Sequence, residues 1–314
     1  MTATGLGDGL TALLPKLGGG ALTGLTRLSG GATQEIWRFE AGGRALILRR
    51  APGGDRVSGQ TVGLEVEAAL LAAAGAGGVP VPPVVHVLEP RDGLGHGFVM
   101  GFVAGETLGG RIVRAPPPGL APQCGAVLAR IHSIDPAGFP TLDRHSPAQL
   151  LDEWRALFRA CDWPRPVFEA ALCWLADRCP SPPAQPRLVH GDFRNGNLMI
   201  GPDGIRAVLD WELAHVGDPL EDLGWLCINS WRFGRIDRPV GGFGTLDELL
   251  AGYGDGVDPA AVKWWEVFGT LRWGVMCAGM TAAFRSPDPG IERAMIARRT
   301  SETEIDLLRL IGDR

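Results

Sequence analysis

Residues Leu188 to Glu212 read LVHGDFRNGNLMIGPDGIRAVLDWE. Two short apolar runs, Leu198–Ile200 and Ile205–Leu209, flank Gly201-Pro-Asp-Gly204, a cluster of turn formers. The pattern predicts a β-hairpin, and a hairpin brings its two ends together. Asn197 and Asp210 are therefore expected side by side, with Asp192 on the loop just before them. The residue types gathered there suit phosphoryl transfer. That reaction needs a carboxylate for the proton of the attacking hydroxyl and hard oxygen donors for Mg²⁺ on the phosphates. Asp192 fits the first role, Asn197 and Asp210 the second. Arg194, a permanent cation with a planar fork of donors, fits neutralisation of the transferring group.

Spacing is more diagnostic than any one of these residues. His190-x-Asp192, then four residues and Asn197, is the arrangement of a kinase catalytic loop. Asp210 stands where the metal-binding Asp of Asp-Phe-Gly would stand, although here the triplet is Asp-Trp-Glu. With Val189-His-Gly-Asp-Phe-Arg-x-Gly-Asn197, Leu209-Asp-Trp-Glu212 and Gly217-Asp-Pro-x-x-Asp-Leu223, the chain resembles the aminoglycoside phosphotransferase family, kinase-like enzymes related to choline kinases. Its wording is closer to the broad bacterial branch, and to kinase-like domains fused to acyl-CoA dehydrogenases, than to the antibiotic-resistance enzymes. The coarse resemblance extends over nearly the whole chain. It implies an α+β, bilobal, protein-kinase-like fold with a small β-rich N-lobe carrying one main helix and a larger, mostly helical C-lobe. It also implies ATP and Mg²⁺ as cofactors, with GTP left open as donor, and a small hydroxylated molecule as acceptor.

The pattern outside the hairpin agrees with two lobes, expected at residues 1–103 and 104–314. Short strands are predicted at Leu25–Ser29, Glu35–Glu40 and Ala45–Arg49, a helix at Gly63–Ala74, and two more strands at Val84–Leu88 and Phe98–Val103. Beyond Gly105 the spacing turns helical over Gln123–Ser133, Ala148–Ala160, Val167–Cys179, Thr245–Gly252, Ala260–Ala283 and Pro289–Ile311. In the first lobe Gly30, Gly31 and Thr33 lie where a loop would cover phosphates, because glycine lets backbone approach them closely. The resemblance assigns a strand cation to the α- and β-phosphates. Arg49 takes that place, with Arg50 as the exposed alternative, and Glu67 is favoured over Glu65 as its helix partner. Backbone groups from Met100 to Phe102 occupy the position of the adenine-bonding hinge.

Other residues in the motifs read as scaffolding. His190 suits backbone anchoring better than general base work, and Asp218 and Asp222 suit loop fixing and helix capping. Glu212 is open between a second metal, the substrate and neither. Trp225, Trp231, Trp264, Trp265 and Trp273 fit a core, with a ring-binding pocket as the other use. The acids of the C-terminal third are mixed with Arg272, Arg293, Arg298 and Arg299, which points away from a polycationic acceptor.

Composition removes several classes. In 314 residues the net charge is −5 without a dense basic block, which argues against nucleic-acid and membrane-surface partners. No apolar run reaches the roughly 18–20 residues that span a bilayer, and no leader pattern is present. The six cysteines, Cys124, Cys161, Cys173, Cys179, Cys227 and Cys277, have no Cys-x-x-Cys spacing. They are expected as reduced thiols, mostly in the core, in a cytoplasmic protein that is a monomer or a homodimer. A protein kinase would need an activation segment and Ala-Pro-Glu after Asp210, and a metallophosphohydrolase would need paired His ligands. The alternative that survives is an inactive kinase-like nucleotide binder, because Arg49 replaces a Lys and the Asp-Phe-Gly glycine is missing.

Overall fold

In the computed structural model, which describes residues 3–28, 34–51, 62–161, 163–284 and 291–312, the first lobe is a sheet between two helices. Helix α1 (Ala3–Leu13) precedes strands β1 (Thr23–Leu28), β2 (Glu35–Ala41) and β3 (Arg44–Ala51); α2 (Leu64–Ala76), β4 (Val84–Val87) and β5 (His96–Gly101) follow. The strands pair antiparallel in the order β1-β2-β3-β5-β4. Alternation along the strands gives the sheet two apolar faces. Phe39, Leu46, Leu48 and Val99 face α1, where Leu6, Leu10 and Leu13 are buried, with Leu14 and Leu17 just beyond. Phe98 faces α2 and its Leu70 and Leu71.

Helix α1 was not among the expected elements. Its buried leucines recur at helical spacing, but Gly5, Gly7 and Gly9 between them are weak helix formers and dilute the pattern. Strand β5 stops at Gly101, short of the expected Val103.

The larger lobe comprises α3 (Gly109–Arg114), α4 (Leu120–His132), α5 (Pro147–Ala160), α6 (Pro166–Asp177), strands β6 (Arg187–Val189), β7 (Leu198–Gly201), β8 (Gly204–Val208) and β9 (His215–Gly217), then α7 (Leu220–Cys227), α8 (Leu246–Tyr253), α9 (Pro259–Phe284), α10 (Ile291–Ala297) and α11 (Thr300–Gly312). The helix starts follow local chemistry. Ser146 and Gln149 form a capping box ahead of Pro147, Thr245 and Glu248 form another, and Asp218 accepts from the Leu220 amide to open α7. The expected single helix Pro289–Ile311 is instead two. The chain turns at Arg298–Arg299, where Thr300 Oγ1 donates to Ala297 O, and both α10 and α11 then pack on α9.

The lobes are joined by backbone as well as side chains. The Val208 amide donates to Pro80 O and the Val62 amide to Glu212 O, each at 2.8 Å, and just inside the larger lobe Glu106 and Ile200 exchange two hydrogen bonds of 2.8 and 2.9 Å. One core runs from Leu70 and Leu71 through Leu128 and Ile131 to Leu198 and Val208. A second, around Phe168, Trp264, Trp265 and Leu271, knits α5, α6 and α9 together. Cys124, Cys227 and Cys277 are buried, Cys173 is exposed, and all six thiols are free. Among the described residues no helix is long and apolar enough to cross a membrane.

Candidate active site

The site is built on the hairpin β7–β8. A two-residue turn, Pro202-Asp203, joins Gly201 to Gly204, and the Leu209 amide donates to Asn197 O at 2.8 Å. Asn197 and Asp210 thus end up at one mouth, as the turn chemistry requires. Asp210 holds a left-handed backbone (φ 63°), which is uncommon outside glycine and concentrates where surrounding structure imposes it.

Asp192 lies across this mouth, gripped on both oxygens. Its Oδ1 accepts from Arg194 Nε (2.9 Å) and Trp225 Nε1 (2.8 Å), and its Oδ2 from Asn197 Nδ2 (2.6 Å). Asn197 Nδ2 also donates to Asp192 O at 3.0 Å. Both partners are acceptors, so the amide must present nitrogen to them and turn Oδ1 the other way. The Arg194 guanidinium lies 4.5 Å over the Trp231 ring.

Below this layer the loop is anchored from α7. Asp222, fully buried, accepts from the amides of His190 (2.8 Å) and Gly191 (2.9 Å) and from His132 Nε2 (3.0 Å). Burial works to raise its pKa, but His132 and these backbone donors hold the carboxyl below its ordinary value. His190 is also fully buried. Its Nδ1 accepts from the Asp192 amide at 3.2 Å, which leaves the proton on Nε2 to meet Leu209 O at 3.1 Å. Burial lowers its pKa, so the ring is neutral with both nitrogens engaged. Gly191 between them has φ 80°, and a Cβ there would collide with the Leu213 carbonyl.

Arg49 reaches the site from β3. Its Nη1 pairs with Glu67 Oε1 at 2.9 Å, its Nη2 with Asp210 Oδ1 at 2.9 Å and Glu212 Oε2 at 3.4 Å, and its Nε donates to Gln34 Oε1 at 3.0 Å. Glu65 is occupied elsewhere, 2.6 Å from His96 Nδ1, so Glu67 is the helix partner. Burial, stronger than the pull of Arg49, pushes the Glu67 carboxyl up to about 7, and its Oε2 has no hydrogen-bond partner. Burial and then Asp210 raise Glu212 too.

One expectation needs correction. Arg50 is not exposed: strand alternation turns it to the sheet face opposite Arg49, where it is 1% exposed and held by Glu35 (2.7 Å) and Leu94 O. In the expected hinge the amides of Gly101 and Phe102 donate to Pro83 O and Ala45 O. Met100 is paired within the sheet, while the Phe102 side chain is exposed. The next amide, Val103, donates to no backbone carbonyl among the described residues. Gly30, Gly31 and Thr33 lie outside the described residues. The contact from Trp225 to Asp192 was not anticipated. A signal for it existed: Trp225 follows Asp222 by three residues on a helix, so both face the same loop.

With this geometry in view, comparison with known proteins is specific. Residues 24–265 match the model of the phosphotransferase enzyme family, and the chain belongs to that family, within the class of small-molecule kinases. Over 200 residues it is 32% identical to mouse (Mus musculus) acyl-CoA dehydrogenase family member 10, covering 58% of this chain and 18% of that protein. It is 30% identical over 191 residues to family member 11 of Rattus norvegicus, covering 52% and 24%. The matches thus span less than a quarter of either relative. The fold is shared across almost the full length with spectinomycin phosphotransferase in complex with ADP and spectinomycin (TM-score 0.68, 14% identity, 98% and 97% coverage). It is shared likewise with a macrolide 2′-phosphotransferase of Brachybacterium faecium (0.61, 19%, 96% and 97%).

Proposed function

We propose that this chain transfers the γ-phosphoryl group of ATP to a hydroxyl of a small molecule. Residues 1–103 would hold the nucleotide, and residues 104–314 would supply the catalytic groups and the acceptor site. Asp192 takes the acceptor's proton, and Arg194 balances charge on the phosphoryl group. Asn197 and Asp210 are the metal ligands. Arg49, oriented by Glu67, meets the phosphates beneath a cover that includes Gly30, Gly31 and Thr33. Backbone of the segment from Met100 through Phe102 to Val103 borders the adenine. The observation that carries this reading is Asp192 fixed by Arg194 and Asn197 at one mouth of a hairpin whose other end delivers Asp210 to Arg49.

The donor set fits Mg²⁺. Asn197 has its oxygen turned away from Asp192, and Asp210 brings a carboxylate to the same mouth. Among the described residues no cluster of three or more His, Cys, Asp or Glu side chains would hold a metal unaided. A pair of oxygen ligands leaves positions for phosphate oxygens and water, which is how Mg²⁺ is usually held. Bound there, the ion would neutralise charge on the phosphates. Spectinomycin phosphotransferase, whose structure holds ADP and spectinomycin, supports both the nucleotide and the small hydroxylated acceptor by analogy of fold.

The test is ADP release from Mg·ATP, alone and with a panel of hydroxylated metabolites. Turnover is expected with at least one acceptor. The Asp192→Ala variant should lose it, by about a thousandfold or more, while still binding Mg·ADP. Turnover in that variant comparable to the parent would sink the mechanism. Tight Mg·ATP binding without turnover on any acceptor would favour an inactive nucleotide binder instead.

A further inference from the structure

Asp192 has two oxygens, and an ionised carboxylate offers about two acceptor directions on each. On Oδ1 both are taken, by Arg194 Nε and by the indole N–H of Trp225. On Oδ2 one is taken, by Asn197 Nδ2. We propose that Trp225 is a positioning residue for phosphoryl transfer: by completing the occupation of Asp192 Oδ1 it leaves Oδ2 as the atom that receives the acceptor's proton. This rests on the reading of Asp192 as the proton acceptor. The step is then specified at the level of atoms. The acceptor O–H proton passes to Asp192 Oδ2, the acceptor oxygen bonds to the γ-phosphorus, the bond from that phosphorus to the β–γ bridging oxygen breaks, and ADP leaves.

The indole is not there by default packing alone. Trp225 is 3% exposed, so its N–H would be an orphaned buried donor without the carboxylate. Its ring is clamped from behind. The Arg272 guanidinium lies 4.8 Å over it, Arg272 Nη1 meets Glu221 Oε1 at 3.0 Å, and Glu221 Oε2 meets His215 Nε2 at 3.1 Å. All three of these side chains are buried. Trp225 also meets Trp231, the ring that supports Arg194, edge to face with ring centroids 5.4 Å apart. Both donors to Oδ1 are therefore steadied by one rigid cluster, and a carboxylate gripped in this way cannot rotate to exchange its oxygens.

Two measurements test this. Trp225→Phe keeps an aromatic ring under Arg272, and deletes the N–H donor together with part of the indole's bulk. With Mg·ATP as substrate, and water or a panel acceptor as nucleophile, kcat is expected to fall roughly tenfold to a hundredfold, as for loss of a hydrogen bond to a charged group. The KM for Mg·ATP should change by less than about twofold, because the nucleotide is held elsewhere. An unchanged kcat, or a loss carried by KM, overturns the proposal. The second measurement needs no turnover and leaves Trp225 in place. In ¹H–¹⁵N spectra of tryptophan-labelled protein, two of the ten indole N–H groups donate to carboxylates, Trp225 to Asp192 at 2.8 Å and Trp37 to Glu35 at 3.1 Å, and both signals should lie downfield of the rest, as charge-assisted hydrogen bonds require. In Asp192→Asn one of the two should rejoin the others while the second stays. Two downfield signals that are both indifferent to Asp192→Asn, or none that responds to it, also overturn it. Failure of the underlying reading is separate, since that would appear as retained turnover in Asp192→Ala.

Discussion

Arg49 is answered by Glu67, Asp210 and Glu212 together, and only Glu67 among the three is deeply buried. Removing the cation and removing that acid are therefore unequal changes. Arg49→Met strands a buried carboxylate and is expected to cost about 3–5 kcal/mol of stability at pH 8. Glu67→Gln keeps an acceptor for Arg49 and discards a costly buried charge, so its expected cost is about 1 kcal/mol. The pH dependence separates the two further. Already with Arg49 present, the Glu67 carboxyl sits at about 7, raised above its unfolded value by burial. A group with a raised pKa stabilises the fold fully below its unfolded pKa, near 4.3, and loses that contribution as pH rises through the folded value. The Arg49→Met penalty should accordingly shrink at pH 5.5, where Glu67 takes up a proton. Denaturant unfolding at pH 5.5 and pH 8 measures both variants, and a penalty that grows on acidification would contradict the assignment.

Elements show where local chemistry sufficed and where it did not. The hairpin β7–β8 was legible because Pro202-Asp203 between two glycines dictates a turn, and a tight turn dictates which residues face each other. The capped starts of α5 and α8 were likewise written in neighbouring residues. Helix α1 was not, since its glycines make it a poor helix in isolation and only docking on the sheet stabilises it. Its burial is nonetheless complete at Leu10, which is 0% exposed beneath the sheet. Leu10→Ala is expected to lower stability by about 2–5 kcal/mol, read by denaturant unfolding, while leaving kcat unchanged because α1 lies on the sheet face away from Arg49. A change below 0.5 kcal/mol would mean that α1 does not hold this position in solution.

At the scale of the molecule, Arg49 and Asp210, 161 residues apart, close the gap between lobes that are also joined by the Val208 amide on Pro80 O and the Val62 amide on Glu212 O. A ligand held by both lobes should stabilise the whole. If Asn197 and Asp210 take Mg²⁺ on nucleotide phosphates, Mg·ADP at a hundred times its Kd should add about 2.7 kcal/mol and raise the unfolding temperature by several degrees. Chelating the Mg²⁺ should remove most of that gain. A thermal melt of the full chain with ADP, with and without EDTA, checks it, and an equal shift in both conditions would remove Mg²⁺ from the proposed site.

By itself the sequence determined the two-lobe pattern, the hairpin, and the gathering of Asp192, Asn197 and Asp210, because each depends on residues close along the chain. Turn chemistry and strand period act over a few residues and need no distant partner. Tertiary structure alone decided that Arg50, the alternative to Arg49, is buried on the opposite face of the sheet. It decided that the Gly101 and Phe102 amides are already spent, and that the Trp225 indole, 33 residues from Asp192, supplies a donor to it. Those outcomes turn on which sheet face is covered, which strand lies alongside and which helix face meets the loop. Burial and pairing of this kind arise only when remote segments pack.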